Sequence, residues 1–237
     1  MSDTRSTARE FLDRADCDLA LAAASYRFME LVNRYFGGIR TVRRFLATAV
    51  ARQTDRPLRV LDIGSGSCDI PLAVSRWARA RGLQLEFTCL EPADHAATIA
   101  RANLAQAGDP AVRLVQDDVF LHQPTEPYDC AVASMCFHHF NDAQILALLE
   151  RLRGFVQYRV LINDLRRSRL ASLAARLLLV GSPAGVRHDA LLSIRRGFRV
   201  NELNALLTQL DQVAVSVQPV RWFRVAATIR FQSGENR

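Results

Sequence analysis

The chain has 237 residues, of which 49% are hydrophobic and 23% are charged, a balance typical of a globular protein. This composition excludes a disordered tail, a collagen-like repeat and a small disulfide-rich protein. No apolar run reaches the roughly 20 residues that a membrane-spanning helix needs, and the polar segment 1–10 does not resemble a signal peptide, so we expect a cytoplasmic protein.

The distribution of basic residues indicates which kinds of partner to consider. The net charge is +7, and every basic residue is an arginine. Residues 151–199 hold 11 arginines against only Asp164 and Asp189. Such a stretch can face nucleic acid, an anionic membrane or an anionic substrate, or it is simply a solvated helix face.

The five cysteines are odd in number and form no CxxC pair, so we predict neither a disulfide framework nor a metal site.

The first 50 residues read as helical and show no strand-like alternation. Phe28, Val32 and Tyr35 follow an amphipathic spacing, and the glycine pair at 37–38 is predicted to end that helix. A second helix is predicted over residues 41–52. The polar residues 54–57 then mark a boundary between an N-terminal helical cap, residues 1–54, and a main domain, residues 55–237.

From residue 58 onward, short apolar strands alternate with helices. The predicted strands cover residues 58–63, 83–90, 112–115, 128–135 and 158–162, and the predicted helices cover residues 69–81, 93–106 and 142–153. Strands joined through helices imply right-handed crossovers and a parallel sheet.

Two further strand-like runs, residues 213–217 and 222–231, are too close together for a crossover and must be antiparallel. The sheet is therefore predicted to be mostly parallel with an antiparallel edge. The stretch before this pair is longer than one crossover helix needs, so we predict a helical insertion over about residues 165–200, placed to select the substrate or to act as a lid.

The turn after the first strand carries the sharpest chemical signal. Gly64 and Gly66 allow positive φ and a close approach of the backbone to a ligand, and the following helix offers amide donors. The third glycine of a dinucleotide-binding turn is absent: Cys68 and Asp69 stand at the two spacings where it would occur. An acidic residue at that helix start would repel a pyrophosphate, which favours a ligand without phosphates.

Acidic residues also follow the second and third strands. Glu91 ends the second strand, and a carboxylate there can accept both hydroxyls of a ribose. Asp117, Asp118 and Val119 follow the third strand, where an acidic side chain beside a backbone amide fits the edge of an adenine. Ligands of open α/β sheets bind at the carboxyl ends of the strands, where these residues are predicted to meet.

The motifs LDIGSGSCD, LEP, VQDDV and YDCAVASMCFHHF together resemble the class I S-adenosylmethionine-dependent methyltransferases. The chain looks closest to the small-molecule branch that includes the ubiquinone and menaquinone biosynthesis enzymes. The resemblance covers roughly residues 55–165. It departs from the family at Cys68, where a glycine is usual.

The resemblance implies a fold and a set of roles. The fold is α/β, with a Rossmann-like doubly wound sheet of seven mostly parallel strands whose last strand is antiparallel, an N-terminal helical cap and a helical insertion after strand five. The cofactor is S-adenosyl-L-methionine. The implied cofactor contacts are Asp62, Gly64 and Gly66 to its methionine part, Glu91 to its ribose, Asp117, Asp118 and Val119 to its adenine, and the Ser134 carbonyl to its ammonium.

The acceptor side of the reaction needs a base only if the acceptor keeps its proton at neutral pH. A phenol, with a pKa of about 10, would benefit from a positioned histidine. His139, in the pair after strand four, and His188, in the insertion, are the candidates. Asp164, at the end of strand five, is the residue expected to orient either one.

The leading hypothesis is O-methylation of a phenolic, quinol or polyketide-like small molecule. C-methylation of the same class of substrate is nearly as favoured. An RNA methyltransferase is disfavoured, because no separate RNA-binding domain and no Asn/Asp-Pro-Pro-aromatic motif is present at Ser134. A cyclase or an interaction module that binds the cofactor without methyl transfer stays open, as do peripheral membrane contact through a lipid-like substrate and the oligomeric state.

Overall fold

The computed structural model describes residues 4–14, 16–50 and 56–232. The N-terminal part begins with an extended segment and a short 3-10 turn at Phe11–Asp13, followed by α1 (Leu19–Tyr35) and α2 (Gly38–Val50). The prediction of helix throughout residues 1–50 is therefore wrong for the described residues before α1. The predicted end of the second helix at 52 and the domain boundary between 54 and 55 lie outside the described residues.

The helix break at the glycine pair is confirmed at its first member. Gly37 has φ +88° and separates α1 from α2, whereas Gly38 already opens α2. A Cβ on Gly38 would lie 2.6 Å from Asn33 Oδ1, so this position needs glycine for the close packing of the two helices.

Seven strands form one mixed sheet in the order β3-β2-β1-β4-β5-β7-β6. The bounds of the strands are β1 (Leu58–Ile63), β2 (Leu85–Leu90), β3 (Val112–Val115), β4 (Tyr128–Ser134), β5 (Val156–Leu165), β6 (Val213–Val220) and β7 (Arg224–Phe231). Strands β1 to β5 pair in parallel, as the apolar and mostly buried sequences of β1, β2 and β4 favour. The α/β fold with an antiparallel last strand is confirmed.

The antiparallel strand lies one place in from the edge of the sheet. β7 pairs antiparallel with both β5 and β6, which leaves β6 as the edge strand. β7 begins at Arg224 and not at Trp222 as predicted, because Trp222 and Phe223 have φ values of +64° and +65° that turn the chain.

Helices cover both faces of this sheet. Their bounds are α3 (Asp69–Arg79), α4 (Asp94–Ala107), α5 (Asp142–Arg153), α6 (Arg169–Leu178), α7 (Ala184–Arg196) and α8 (Val200–Leu207). Gly108 ends α4 in the left-handed conformation, and Asn141 caps α5 by accepting from the Gln144 amide. One apolar core lies on each face of the sheet.

The insertion after β5 consists of α6 and α7, and it packs on the N-terminal cap. Ala171, Ala175 and Val186 form a third apolar cluster with Leu21 and Phe28 of α1. The cap and the insertion thus cover the same end of the sheet. Among the described residues, no helix is both long and apolar enough to cross a membrane.

Candidate active site at the carboxyl edge of the sheet

A cavity of about 640 Å³ opens at the carboxyl ends of the parallel strands. Strand order reverses between β1 and β4, and such a reversal leaves a crevice for a ligand. Most of the predicted site residues line this cavity: Asp62, Gly64, Gly66, Glu91, Asp117, Asp118, Val119, Ser134 and His139. Asp164 and His188 are not part of its wall.

The glycine turn between β1 and α3 needs both of its glycines. Gly64 and Gly66 have φ values of +64° and +53°. A Cβ on Gly64 would lie 2.6 Å from Cys136 Sγ, and a Cβ on Gly66 would lie 2.8 Å from Cε1 of Tyr26. The backbone of this turn therefore packs directly against the Cys136 side chain and the Tyr26 ring of α1, with no room for a side chain at either glycine.

Cys68 does not narrow the cavity, although it stands where the related enzymes usually have glycine. Its backbone adopts the left-handed conformation that favours glycine, with φ +60°. Its side chain is fully buried and packs in the apolar core with Val60 and Cys89. The sulfur thus points away from the cleft that Gly64 and Gly66 line.

Asp62 places a buried carboxyl group at the end of β1. Ser65 Oγ donates to Asp62 Oδ2 over 2.5 Å. Burial raises the pKa of Asp62 to about 7, and the nearby carboxylates of Asp69 and Glu91 add to the rise while the bond from Ser65 opposes it. A cation beside Asp62 would favour its charged form.

Glu91 joins the end of β2 to the glycine turn. Its Oε2 accepts from the Gly66 amide over 2.9 Å, and its Oε1 accepts from the Ala93 amide over 3.0 Å. Burial raises the pKa of Glu91, and the two amide bonds oppose that rise. Each oxygen keeps a lone pair for a further donor in the cavity.

The segment after β3 and the end of β4 complete this half of the cavity. Asp117 Oδ1 accepts from the Asp118 amide over 2.8 Å, and its Oδ2 lies 3.0 Å from His122 Nδ1. Val119 is buried, and Asp118 is exposed. Ser134 Oγ accepts from Asn163 Nδ2 over 3.1 Å, and this hydrogen bond joins β4 to β5.

Asp164 contacts His138, and not His139 or His188 as expected. Its Oδ1 lies 2.7 Å from His138 Nδ1, and its Oδ2 accepts from the His138 amide over 3.0 Å. Although burial by itself would raise it, the charge and hydrogen bonds of His138 lower the pKa of Asp164 to about 2. His138 lines the cavity, whereas Asp164 lies behind its wall.

The two predicted base candidates lie in different surroundings. His139 faces the cavity and has its Nδ1 2.8 Å from Asp13 Oδ1. Burial by itself would raise the pKa of Asp13. The hydrogen bonds and charges of His139 and Arg196 outweigh burial and hold that pKa well below its usual value. His188 is half exposed, packs its ring 4.9 Å from that of Phe11, and lies outside the cavity.

The extended segment before α1 contributes residues to the cavity that the sequence does not predict. Glu10 is buried at the cavity wall, with Oε1 3.7 Å from His138 Nε2 and 3.5 Å from Arg196 Nη1. Burial raises the pKa of Glu10. Its position results from contacts with residues far along the chain, for which no local pattern exists in the sequence.

Glu10, His138 and His139 each offer an atom within 4.8 Å of the others, a spacing that could hold a cation. The guanidinium of Arg196 lies beside this cluster and also donates to Asp13 Oδ2 over 2.5 Å. The positive charge of Arg196 thus already faces both carboxylates, and it would repel a metal ion.

A smaller apolar pocket of about 100 Å³ adjoins the main cavity. Glu10, Leu12, Met29 and Met135 line both spaces. The rest of its wall is mostly apolar and comes from α1, α6, α7 and the turn before β7, namely Phe28, Val32, Phe36, Ala171, Ala174, Ala175, Leu178, Val186, Ala190, Ile194, Trp222 and Phe223. Ser25, Asp189 and Ser193 add polar groups to this wall.

Known proteins resemble both the sequence and this geometry. The family model for a methyltransferase domain matches residues 60–158, which include the strands and turns that line the cavity. This match covers less than half of the chain, and it indicates a methyltransferase domain. Several similar solved structures were determined with SAM or SAH bound.

Solved structures share the fold of the methyltransferase domain and of the elements added to it. The plantazolicin methyltransferase BpumL, in complex with a pentazolic desmethylPZN analog and SAH, matches with a TM-score of 0.66 at 14% identity, over 94% of this chain and 98% of that chain. Magnesium protoporphyrin IX methyltransferase (ChlM) from Synechocystis PCC 6803, with bound SAM, matches with a TM-score of 0.55 at 11% identity, over 83% and 80% of the two chains.

The methyltransferase SibL, in its apo form, matches with a TM-score of 0.55 at 22% identity, over 79% of this chain and 55% of that chain. At these identities the likeness concerns the fold. No curated protein sequence matches the chain significantly.

Proposed function

We propose that the chain transfers the methyl group of S-adenosylmethionine to the hydroxyl oxygen of a small phenolic, quinol or polyketide-like acceptor with an apolar body. One observation carries the proposal: the cavity that holds the residues for a nucleoside and an amino acid also contains His139, and it continues into an apolar pocket. A donor and an acceptor can therefore meet in one enclosed space.

The cofactor half of the cavity fits the roles that the sequence suggests. Asp62 offers a carboxylate to an ammonium group, and the open backbone at Gly64 and Gly66 leaves room for the methionine part. Glu91 retains lone pairs for ribose hydroxyls, as its two amide bonds use one on each oxygen. In the proposal Asp117, Asp118 and Val119 receive the adenine, and the Ser134 carbonyl receives the ammonium.

When bound, S-adenosylmethionine supplies a methyl group on a sulfonium, which is a strong electrophile. The protein then has to hold the acceptor oxygen in line and remove its proton. We assign proton removal to His139, since Asp13 holds its Nδ1 and leaves Nε2 for the acceptor. The Asp164–His138 pair supports the turn that carries His139, and His188 takes no part because it lies outside the cavity.

The apolar pocket favours an acceptor with a hydrocarbon or aromatic body. Its polar groups converge near Glu10 and Ser193, at the junction with the cofactor cavity. An acceptor seated there would place its polar end near His139 and its apolar end between α1 and α6. That arrangement suits a single reactive hydroxyl on an otherwise apolar molecule.

The test is a transfer assay with S-adenosylmethionine carrying a labelled methyl group and a panel of phenols, quinols and polyketide-like compounds. The proposal expects label on oxygen, identified by NMR of the product. His139→Gln should lower kcat at least about a hundredfold for a phenol while SAH affinity changes less than about threefold.

Two results would count against this function. Label on ring carbon would replace O-methylation by C-methylation, and SAH binding without transfer to any acceptor in the panel would remove the proposed activity. Equal turnover of His139→Gln and wild type would remove the base. His188→Gln is the matched control, because His188 is a half-exposed histidine outside the cavity.

A further inference from the structure

The insertion helix α6 is oriented against the usual rule for a surface helix. Its small residues Ala171 and Ala175 face the protein and are 4% and 8% exposed. Its leucines face outward: Leu170, Leu173 and Leu177 are 66%, 54% and 68% exposed. Residues spaced by three and four lie on one side of a helix, so these leucines form one continuous apolar stripe.

The stripe continues beyond the helix. Val180, in the turn that follows α6, is 77% exposed. We call Leu170, Leu173, Leu177 and Val180 the outer face of α6. Large apolar patches of this kind on a soluble protein mark a surface that meets an apolar partner.

The chain segment that carries the outer face of α6 has charges of one sign. From residue 165 to residue 188 the chain has five arginines and no acidic residue. Arg169 and Arg176 are exposed members of α6 itself. Within the described residues, neither forms a salt bridge, whereas Arg167 pairs with Glu202. The free charges thus remain available to an anionic partner.

Helix α6 also lines the apolar pocket of the active site, through residues outside its outer face. Leu178 and Trp222 line that pocket and are 48% and 51% exposed. The Arg221 guanidinium lies 5.7 Å from the Trp222 ring. Tryptophan is enriched at the boundary between lipid and water, where its ring can lie among headgroups.

We propose that the outer face of α6 docks on an anionic lipid bilayer, with its leucines in the headgroup boundary and Arg169 and Arg176 on lipid phosphates. An amphipathic helix with a basic flank binds membranes in this way. A second copy of this chain is a poor occupant, because two arginine-flanked faces would repel each other. A bilayer supplies both the apolar medium and the negative charge.

Docking in this orientation would bring the mouth of the apolar pocket to the membrane surface. An apolar acceptor could then pass from the bilayer to the active site beneath α6 without crossing water. This step rests on the proposed function, whereas docking itself does not.

The experiment is co-sedimentation of the full chain with vesicles of phosphatidylcholine alone or with roughly one third phosphatidylglycerol, without cofactor or acceptor. The wild type should bind the anionic vesicles and lose at least about tenfold in affinity between about 0.1 M and about 1 M salt, since the screening length falls from about 10 Å to about 3 Å.

Two variants separate the apolar and the charged contributions. Leu173→Glu with Leu177→Glu should lower vesicle affinity at least about tenfold, because both side chains leave the lipid. Arg169→Gln with Arg176→Gln should also weaken binding and reduce its salt dependence. Leu121→Glu is the matched control and should bind as the wild type does, since Leu121 is 71% exposed in the turn after β3. SAH affinity of each variant reports whether the domain is folded.

Three results would overturn the docking proposal: a wild type that ignores anionic vesicles, a leucine variant that still binds them, or a dimer in sedimentation velocity that the leucine variant dissociates. The last result would assign the face to a second copy of the chain. Methyl transfer that fails while vesicle binding persists would overturn the proposed function alone.

Discussion

A buried carboxylate that already accepts two amide bonds is held in a fixed orientation, and Glu91 is such a group at the end of β2. We predict that Glu91→Ala lowers SAH affinity at least about tenfold, since charged hydrogen bonds contribute about 1.5–3 kcal/mol each. Isothermal titration calorimetry gives the measurement. Glu86→Ala is the control, because Glu86 lies on the same strand but is exposed. Equal affinities of both variants would remove Glu91 from the cofactor site.

The ionised carboxylate of Asp62 disfavours folding of the cofactor-free protein, but we expect it to favour cofactor binding. Its folded pKa of about 7 lies above the ordinary value of 3.8 for an aspartate carboxyl, so its contribution to stability is greatest at low pH and is lost as the pH rises toward and through 7. We predict that Asp62→Asn makes the cofactor-free protein about 2–4 kcal/mol more stable than wild type above that pH, and weakens SAH binding.

Urea denaturation of both proteins at about pH 5 and about pH 8 checks this prediction. The advantage of Asp62→Asn should grow with pH, because only the wild type has to ionise a buried carboxyl. An advantage that is the same at both pH values would mean that Asp62 does not titrate in this range.

The sequence predicts which side chains meet where the backbone alone decides their positions. The ends of parallel strands bring Asp62, Glu91 and Asp118 to one edge, whatever the details of packing. The sequence does not predict this for the histidine pair, since a 3-10 turn at Phe137–His139 decides which ring meets Asp164. A rotation of one residue in such a turn exchanges the two rings, and the sequence carries no signal for it.

At the scale of elements, helix α1 is tied to the methyltransferase domain through buried polar groups. Asn33 Nδ2 donates to Asp69 Oδ2 over 3.0 Å, and Arg224 Nη2 donates to Asn33 Oδ1 over 2.7 Å. Arg224 is fully buried, and desolvation lowers its pKa to about 10. The negative charges of Asp164 and Asp69 raise this pKa and so offset part of the decrease. One amide side chain therefore joins α1, α3 and β7.

We predict that Asn33→Ala lowers the free energy of unfolding by about 2–4 kcal/mol, because it leaves a buried guanidinium and a buried carboxylate each short of a partner. Urea denaturation measures the change. Arg34→Ala, at the exposed next position of α1, should change it by less than about 0.5 kcal/mol. A small effect of Asn33→Ala would show that water replaces the lost bonds.

Element boundaries were predictable where local signals are strong. Asp142–Arg153 and Val112–Val115 match the predicted ranges, and Gly108 ends α4 as expected. The extended segment before α1 was not predictable, because its conformation is set by distant groups. Arg5 donates to the carbonyl of Phe140, and the Ser6 amide donates to the carbonyl of Arg195.

At the scale of the whole molecule, two parts of the chain that are far apart in sequence close the acceptor side together. The extended segment of residues 4–14 crosses the loop after β4 and the insertion helix α7. Asp189 of α7 provides one buried contact, since its two carboxylate oxygens accept from the amides of Phe11 and Leu12 over 2.9 Å and 3.1 Å. The cofactor side, at β1 and β2, does not depend on this contact.

We therefore predict that Asp189→Ala frees the segment without opening the cofactor site. Trypsin should cut after Arg9 at least about tenfold faster, because local opening exposes this peptide bond, while SAH affinity stays within about threefold of wild type. Methyl transfer should fall, since Glu10 and Asp13 leave the cavity wall with the segment. Asp142→Ala removes only an exposed ion pair to Arg5, at 2.9 Å, and should change cleavage little. If Asp142→Ala speeds cleavage as much as Asp189→Ala does, the segment is held by many weak contacts and not by the buried carboxylate.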